Sequence, residues 1–333
     1  MSHEKTETTI LLTRQDVCSL LTLDECISAV EAAFRRYGEG KVPAPGILGV
    51  PSRMGGFHIK AALFEHEELY FAVKINANFP QNKVRFHQPS IQGVILLCHG
   101  EHGSPLAVMD SMEITAQRTG AATAIAAKYL SREDSKTVTV CGCGNQGRIQ
   151  LKSLLRVRDL KRAYLYDVDY TQAKTLASEF SGMLAAEPVD VPGLQVSLKK
   201  SDICVTCTPS ARFYVNLEDI SPGTFIAAIG ADSENKQEID PRLFGSSTIV
   251  VDMLEQCVRI GDLHHAIEEG LVAKTNVHAE LGDIVAGRKP GRTSPDEITL
   301  FDSTGMALQD AAAAVVVYEK ALASGSGSSF TFR

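Results

Sequence analysis

One stretch, residues 137–155 (TVTVCGCGNQGRIQLKSLL), limits what this chain can fold into more than any other. Residues 137–141 alternate β-branched and small side chains, as a buried strand does. Gly142, Gly144 and Gly147 follow as G-x-G-x-x-G, and from Gln146 the residues Ile149, Leu151, Leu154 and Leu155 recur at helical spacing. Each glycine has a task in such a turn. Gly142 allows a tight reversal off the strand, Gly144 leaves room for a pyrophosphate at the backbone, and Gly147 lets helix and strand pack closely. Free N–H groups at the helix start then face the phosphate charge. A glycine-rich turn alone is common, but here strand, turn and helix come in the required order. A second strand, RAYLY at 162–166, leads into Asp167, about 20 residues beyond the turn. A carboxylate there can hold both ribose hydroxyls of NAD and repels the 2′-phosphate of NADP. The stretch predicts a bound dinucleotide, NAD rather than NADP.

Around this turn the chain alternates strand and helix. A helix to about 157, a strand to 166 and a helix over 172–180 are followed by strands near Val189 and over 203–207, 224–229, 248–252 and 298–301. That alternation predicts an α/β fold, a Rossmann-type doubly wound parallel sheet. Residues before 115 read differently. After a frayed tail over 1–8 come a short strand at 10–12, a helix from 16 that Thr13 could cap, and a helix from Thr22 to about Tyr37. Thr22 and Glu25 have the form of a capping box, and Gly38 is a plausible stop. Residues 40–51 read as loop or edge strand, and 56–63, 70–76, 90–98 and 106–110 as strands of a mostly antiparallel region. The small-residue helix 115–130 bridges to the second domain. The alanine- and valine-rich helix 305–322 is expected to fold back on the first domain, and 324–333 to be a flexible tail. The expected division is an α+β substrate-binding and dimerisation domain, 1–117 with 303–333, and a nucleotide domain, 118–302.

Composition excludes several classes. A net charge of −7 argues against nucleic-acid binding. No apolar run reaches the length of a membrane span, and the polar N-terminus lacks a signal-peptide core, so a cytoplasmic location is expected. Eight scattered cysteines in mostly apolar surroundings fit reduced thiols. Cys204-x-x-Cys207 lies within a strand, whose alternate faces keep the two from one ion. His264-His265 with Glu268 and Glu269 reads as a solvated face, because adjacent histidines on a helix are not expected to aim both rings at one ion. No metal is expected.

Four further places could carry chemistry. Lys74 sits in an apolar strand, where it either faces solvent or needs a buried anion. Arg118 lies in a run of small residues and could meet a carboxylate bidentately, or lie on the helix surface. Asp232 follows an apolar strand, where ligands of open α/β sheets bind, or it is a turn residue. Ser303 and Thr304 join the last strand to the terminal helix, where either could cap it.

Taken in order, these stretches resemble the ornithine cyclodeaminase/μ-crystallin family over about residues 9–323. The matches are Val73-Lys74 through Asn76-x-Asn78-x-Pro80-x-Asn82, residues 105–110 (PLAVMD), and Thr115-x-x-Arg118-Thr119-Gly120-Ala121-Ala122. The glycine loop follows, then Gly230-Ala231-Asp232-x-x-x-Lys236-x-Glu238, Glu280-Leu281-Gly282 and Ser303-x-Gly305-x-Ala307-x-x-Asp310. The resemblance implies a homodimer that binds NAD and a small amino or imino acid. It implies that Lys74 and Arg118 hold the substrate carboxylate, and that Asp232 meets the reacting amine and water, with Lys74 beside it in the catalytic set. The cofactor set it implies is Gly142, Gly144, Asn145, Gln146, Gly147, Asp167, Thr119, Thr206, Thr208 and Ser303.

Two departures matter. Family members usually carry a further carboxylate-binding arginine, and an ungapped match puts Gly46 there. The glutamate that cyclodeaminases use near the ornithine side chain falls on Ile59. His58 and Lys60 are new polar groups nearby, and Lys60 is the candidate replacement for the arginine. The implied activity is an NAD(H)-dependent oxidoreductase at an amine or imine carbon. An ornithine cyclodeaminase, a lyase that recycles NAD, is the second reading. A ligand-binding protein like the crystallin is the third.

Overall fold

The structure is a computed structural model that describes residues 8–332. Residues 1–7 of the expected frayed tail lie outside the described residues. The chain divides into two compact units, cut between Arg118 and Thr119 and again between Gly305 and Met306.

The first unit is built on a seven-stranded sheet. Its strands are β1 (Thr9–Leu12), β2 (Gly46–Ser52), β3 (Gly55–Glu65), β4 (Leu69–Asn78), β5 (Ile91–His99) and β6 (Pro105–Asp110), with a C-terminal strand, Ser328–Phe330. The order is C-terminal strand–β1–β6–β5–β4–β3–β2, antiparallel except for β1 against β6. The helices Arg14–Leu20 and Leu23–Gly38 each open on a capping box, Thr13 with Asp16 and Thr22 with Glu25. In each, the two side chains satisfy backbone donors that a helix start leaves open. Alternation in β3 and β4 buries Lys60, Ala62, Phe64, Tyr70, Ala72 and Lys74 on one face. The helix Ala307–Ser324 packs over that face and against helix 23–38. The opposite face carries the rows Ile59–Ile75–Val94 and Ala61–Val73–Leu96–Val108, apolar residues in cross-strand register. Ile75 and Val94 are exposed there.

The expected flexible tail is corrected. Ser328–Phe330 pairs antiparallel with β1, Thr9 opposite Phe330. Three residues show no strand pattern by themselves; the unpaired donors and acceptors of an edge strand recruit them.

The second unit holds an eight-stranded parallel sheet. Its strands are β7 (Thr137–Cys141), β8 (Arg162–Tyr166), β9 (Ala185–Val189), β10 (Ile203–Thr206), β12 (Phe225–Ala228), β14 (Thr248–Val251), β15 (Ala279–Glu280) and β16 (Thr299–Asp302). Between them β11 (Ala211–Val215) and β13 (Gln237–Ile239) form a separate parallel pair. The order is β15-β14-β16-β12-β10-β7-β8-β9. From β7 the chain runs out through β8 and β9, then returns to place β10 on β7's other side. The switch point therefore falls between β7 and β10, where open α/β sheets bind ligands. Helices Val191–Lys199 and Leu254–Ile260, absent from the sequence reading, lie in this unit, as does Asp262–Glu268, which carries the histidine pair. Each is short, nine residues or fewer, and carries little periodic signal. Among the described residues no helix is long and apolar enough to cross a membrane.

Candidate active site

The glycine turn has the geometry its spacing predicts. Gly142 has φ +100°, a left-handed conformation open to glycine, and its N–H donates to Tyr166 O at 2.8 Å. A Cβ on Gly147 would overlap the Gly142 carbonyl oxygen, so strand and helix meet too closely for any side chain. Gly144 is the N-cap of helix Asn145–Leu154 and brings no side-chain cap, and a Cβ there would meet only open space. The helix thus presents uncapped first-turn N–H groups to an open approach, which suits a pyrophosphate.

Asp167 closes the other end. Its Oδ2 accepts from Cys143 N at 2.7 Å and its Oδ1 from Asp169 N at 2.9 Å. The acid is pinned between β8 and the glycine turn, with lone pairs left for hydroxyl donors. Cys143 is pushed up to about 12 by burial and by the Asp167 charge, which keeps it an inert thiol. All eight cysteines are unpaired.

Two implied cofactor residues spend their hydroxyls elsewhere. Thr208 donates N–H and Oγ1 to Glu238 Oε1, both at 2.7 Å, and Ser303 Oγ donates to Asp252 Oδ2 at 2.9 Å. The capping role for Ser303 or Thr304 is corrected by the same contacts. The N-cap of the terminal helix is Met306, without a side-chain bond, and Thr304 Oγ1 donates to Asp252 Oδ1 at 3.3 Å. Thr206 ends β10, fully buried beside the switch point. Thr119 is buried in helix Met112–Leu130.

Glu238 is a residue to which the sequence reading gave no role. Its Oε1 accepts from Thr208 and from Tyr214 OH at 2.7 Å, and its Oε2 from Gly230 N at 2.9 Å. Burial raises its pKa, and these donors oppose the rise. The carboxylate ties the loop after β10 to the loop after β12, which carries Asp232. Asp232 lies at the carboxyl end of its strand, as expected, half exposed and paired with Lys236 at 2.6 Å.

In the first unit Lys74 faces inward, and its anion is Asp310, 2.7 Å away. Arg118 Nε donates to the same carboxylate at 3.1 Å and its Nη1 to Gln309 Oε1 at 2.9 Å. Arg118 is therefore buried, and it spans a carboxylate and an amide rather than gripping one carboxylate bidentately. Lys60 stands directly opposite Lys74 across β3 and β4, also buried. Burial lowers the Lys74 pKa to about 7; Asp310 opposes the fall, while Arg118 and Lys60 add to it. Burial would raise Asp310, but Lys74, Arg118 and Lys60 outweigh it and hold the carboxyl below its ordinary range. Asp310 had a signal that was not used: it is the one charged residue in the run 305–318, GMALQDAAAAVVVY. A lone carboxylate in so apolar a helix needs a buried cation.

Alternation also corrects one position. Ile59 lies opposite Ile75 on the outer face, away from Lys60 and Lys74. It cannot stand where a glutamate beside a ligand of Lys74 would. The inward neighbours of Lys60 on β3 are His58 and Ala62, neither a carboxylate.

A match to the family model described as "Ornithine cyclodeaminase/mu-crystallin family" covers residues 7–325. The chain belongs to the ornithine cyclodeaminase/mu-crystallin family. Within it, the alanine dehydrogenase of Archaeoglobus fulgidus is 40% identical over 97% of this chain and 98% of its own length. The structure of an archaeal alanine dehydrogenase dimer with bound NAD superposes with TM-score 0.94 at 39% identity, covering 98% of this chain and all of that one. The Δ1-pyrroline-2-carboxylate reductase of Thermococcus litoralis, solved with NADH and L-proline, gives 0.89 at 37% identity, covering 96% and 99%. These relatives are oxidoreductases with a nicotinamide cofactor, and the fold is the α/β fold expected.

Proposed function

We propose that this protein is an NAD(H)-dependent oxidoreductase acting at the amine or imine carbon of a small amino acid or cyclic imino acid. One observation carries the reading: two buried cationic side chains, Lys74 and Arg118, share a single buried carboxylate, Asp310. That leaves positive charge in a desolvated place, which a substrate carboxylate neutralises. The alanine dehydrogenase and proline-bound reductase among the relatives act on molecules with such a group.

When bound, the nicotinamide accepts or delivers a hydride; that is its whole chemical part. Gly142, Gly144, Asn145, Gln146 and Gly147 would cradle the pyrophosphate and Asp167 the ribose hydroxyls. Lys74, Arg118 and Lys60 hold the carboxylate and thereby fix the substrate carbon. Asp232 takes a proton from the substrate amine in oxidation, or returns it in reduction. It can also direct water onto the imine. Lys74, poised near neutrality, is the second group able to carry a proton.

The lyase reading is weaker, because no carboxylate stands beside Lys60 on the inner face of β3 to hold a second amine. The binding-protein reading is weaker, because Lys74, Arg118 and Asp232 are all retained. The apolar outer face of the sheet supports a homodimer, and the free cysteines suit the reducing cytoplasm.

A panel of amino acids, and of cyclic imines or 2-keto acids with ammonia, followed by NADH absorbance, tests the proposal. Turnover with at least one carboxylate-bearing member is expected. Tight NADH binding without turnover on any member would overturn it, and stoichiometric proline from ornithine without net NADH would establish the lyase.

A further inference from the structure

We propose that His264, His265 and Glu268 form a binding site for one divalent transition ion of the zinc type. All three lie on helix Asp262–Glu268, outside the residues assigned to cofactor or substrate. One nitrogen of each ring and one carboxylate oxygen of Glu268 lie within 4.8 Å of one another. The expectation of a solvated face holds for the exposed Glu268 and Glu269 and fails for His264, which is buried; the two rings lie 3.7 Å apart at their centres, tilted by 41°. Each ring is held by its own backbone anchor. His264 Nδ1 lies 2.6 Å from Gly261 O, and His265 Nε2 lies 2.9 Å from Lys236 O.

Those anchors make the pair more than a stack. A carbonyl oxygen only accepts, so the anchored nitrogens are the protonated ones. Nε2 of His264 and Nδ1 of His265 are left with lone pairs. A metal-binding histidine is ordinarily held in this way, its far N–H donated to a carbonyl that sets tautomer and ring angle. Glu268 is four residues beyond His264, hence on the same side of the helix, and it is exposed and able to move. Tetrahedral zinc with bonds of ~2.0–2.1 Å brings its donors to roughly 3.4 Å apart. The donors, now within 4.8 Å of one another, draw together on binding, and the exposed Glu268 side chain is the one with most room to move. Two imidazoles and a carboxylate, with one position left to water, suit zinc better than calcium or magnesium, which prefer oxygen donors. Through His265 the ion would brace the Lys236 backbone, on the loop that carries Asp232.

The test is zinc titration of the full-length protein by calorimetry, with Glu268→Gln and His265→Gln as variants and cobalt as a spectroscopic probe. One equivalent of zinc should bind, weakened at least tenfold in each variant. The cobalt form should lack thiolate charge-transfer bands in the near ultraviolet. Glu268 is exposed, so its variant should keep the metal-free melting temperature of the parent. Zinc binding unchanged in both variants, no binding in the parent, or a thiolate band placing the ion on cysteine would each overturn the proposal. NADH turnover is not the readout, so a failure here is separate from a failure of the proposed activity.

Discussion

Replacing Lys74 by Met gives the sharpest test of the buried charge cluster. The side chain keeps its length and loses its charge. Lys74 titrates near 7 in the fold and near 10.5 when free, a difference of about 5 kcal/mol between its charged and neutral forms. The sign follows. Between pH 7 and 10.5 the unfolded chain binds a proton that the folded one does not, so this residue makes stability rise with pH across that window. Below pH 7 both states are protonated and the whole cost of the buried charge is felt. A bound carboxylate replaces part of the lost solvation and lifts the pKa again. Ligand binding at pH 8 should therefore take up nearly one proton, about nine-tenths of the lysine being neutral beforehand. In the Lys74→Met protein that uptake should vanish. A charge-assisted hydrogen bond of about 1.5–3 kcal/mol is lost as well, so kcat/KM at pH 6 should fall roughly 10- to 150-fold. Calorimetry of substrate binding to the NADH-loaded enzyme, in buffers of differing ionisation enthalpy, measures the uptake; steady-state NADH assays measure the rest. Proton uptake that persists in Lys74→Met, or none in the parent at pH 8, would refute the reasoning.

Other perturbations probe the remaining parts. Asp167→Ala should weaken NADH binding and narrow the preference for NADH over NADPH, read as the ratio of kcat/KM for the two; an unchanged ratio removes the basis for assigning NAD. Gly147→Ala drives a Cβ into the Gly142 carbonyl, so it should cost about 1–3 kcal/mol of stability and abolish NADH binding, followed by melting temperature and fluorescence titration. Val94→Lys places a charge in the exposed apolar row of the sheet and should shift the sedimentation coefficient from dimer to monomer. A variant that sediments like the parent would move the interface elsewhere.

Much of this protein is local and could be read along the chain. The glycine turn, its flanking strands and Asp167 occupy 31 consecutive residues, 137–167, and each is set by near neighbours. The capping boxes at Thr13 and Thr22 are likewise contained within four residues. The parallel sheet followed from repeated strand–helix alternation. Short helices such as Leu254–Ile260 were missed because seven residues hold too little period to separate them from loop.

Long-range pairing is a different matter. Arg118 and Asp310 stand 192 positions apart, and nothing in either neighbourhood names the other. The sequence by itself determined that this chain carries a dinucleotide turn, a parallel sheet around it and an apolar strand with a lysine in it. Only the tertiary structure decided that Lys60 and Lys74 point inward, that Asp310 answers them, and that Ile59 does not. The reason is the pleat: successive side chains take opposite faces, and which face is buried depends on the helix that arrives from the far end of the chain.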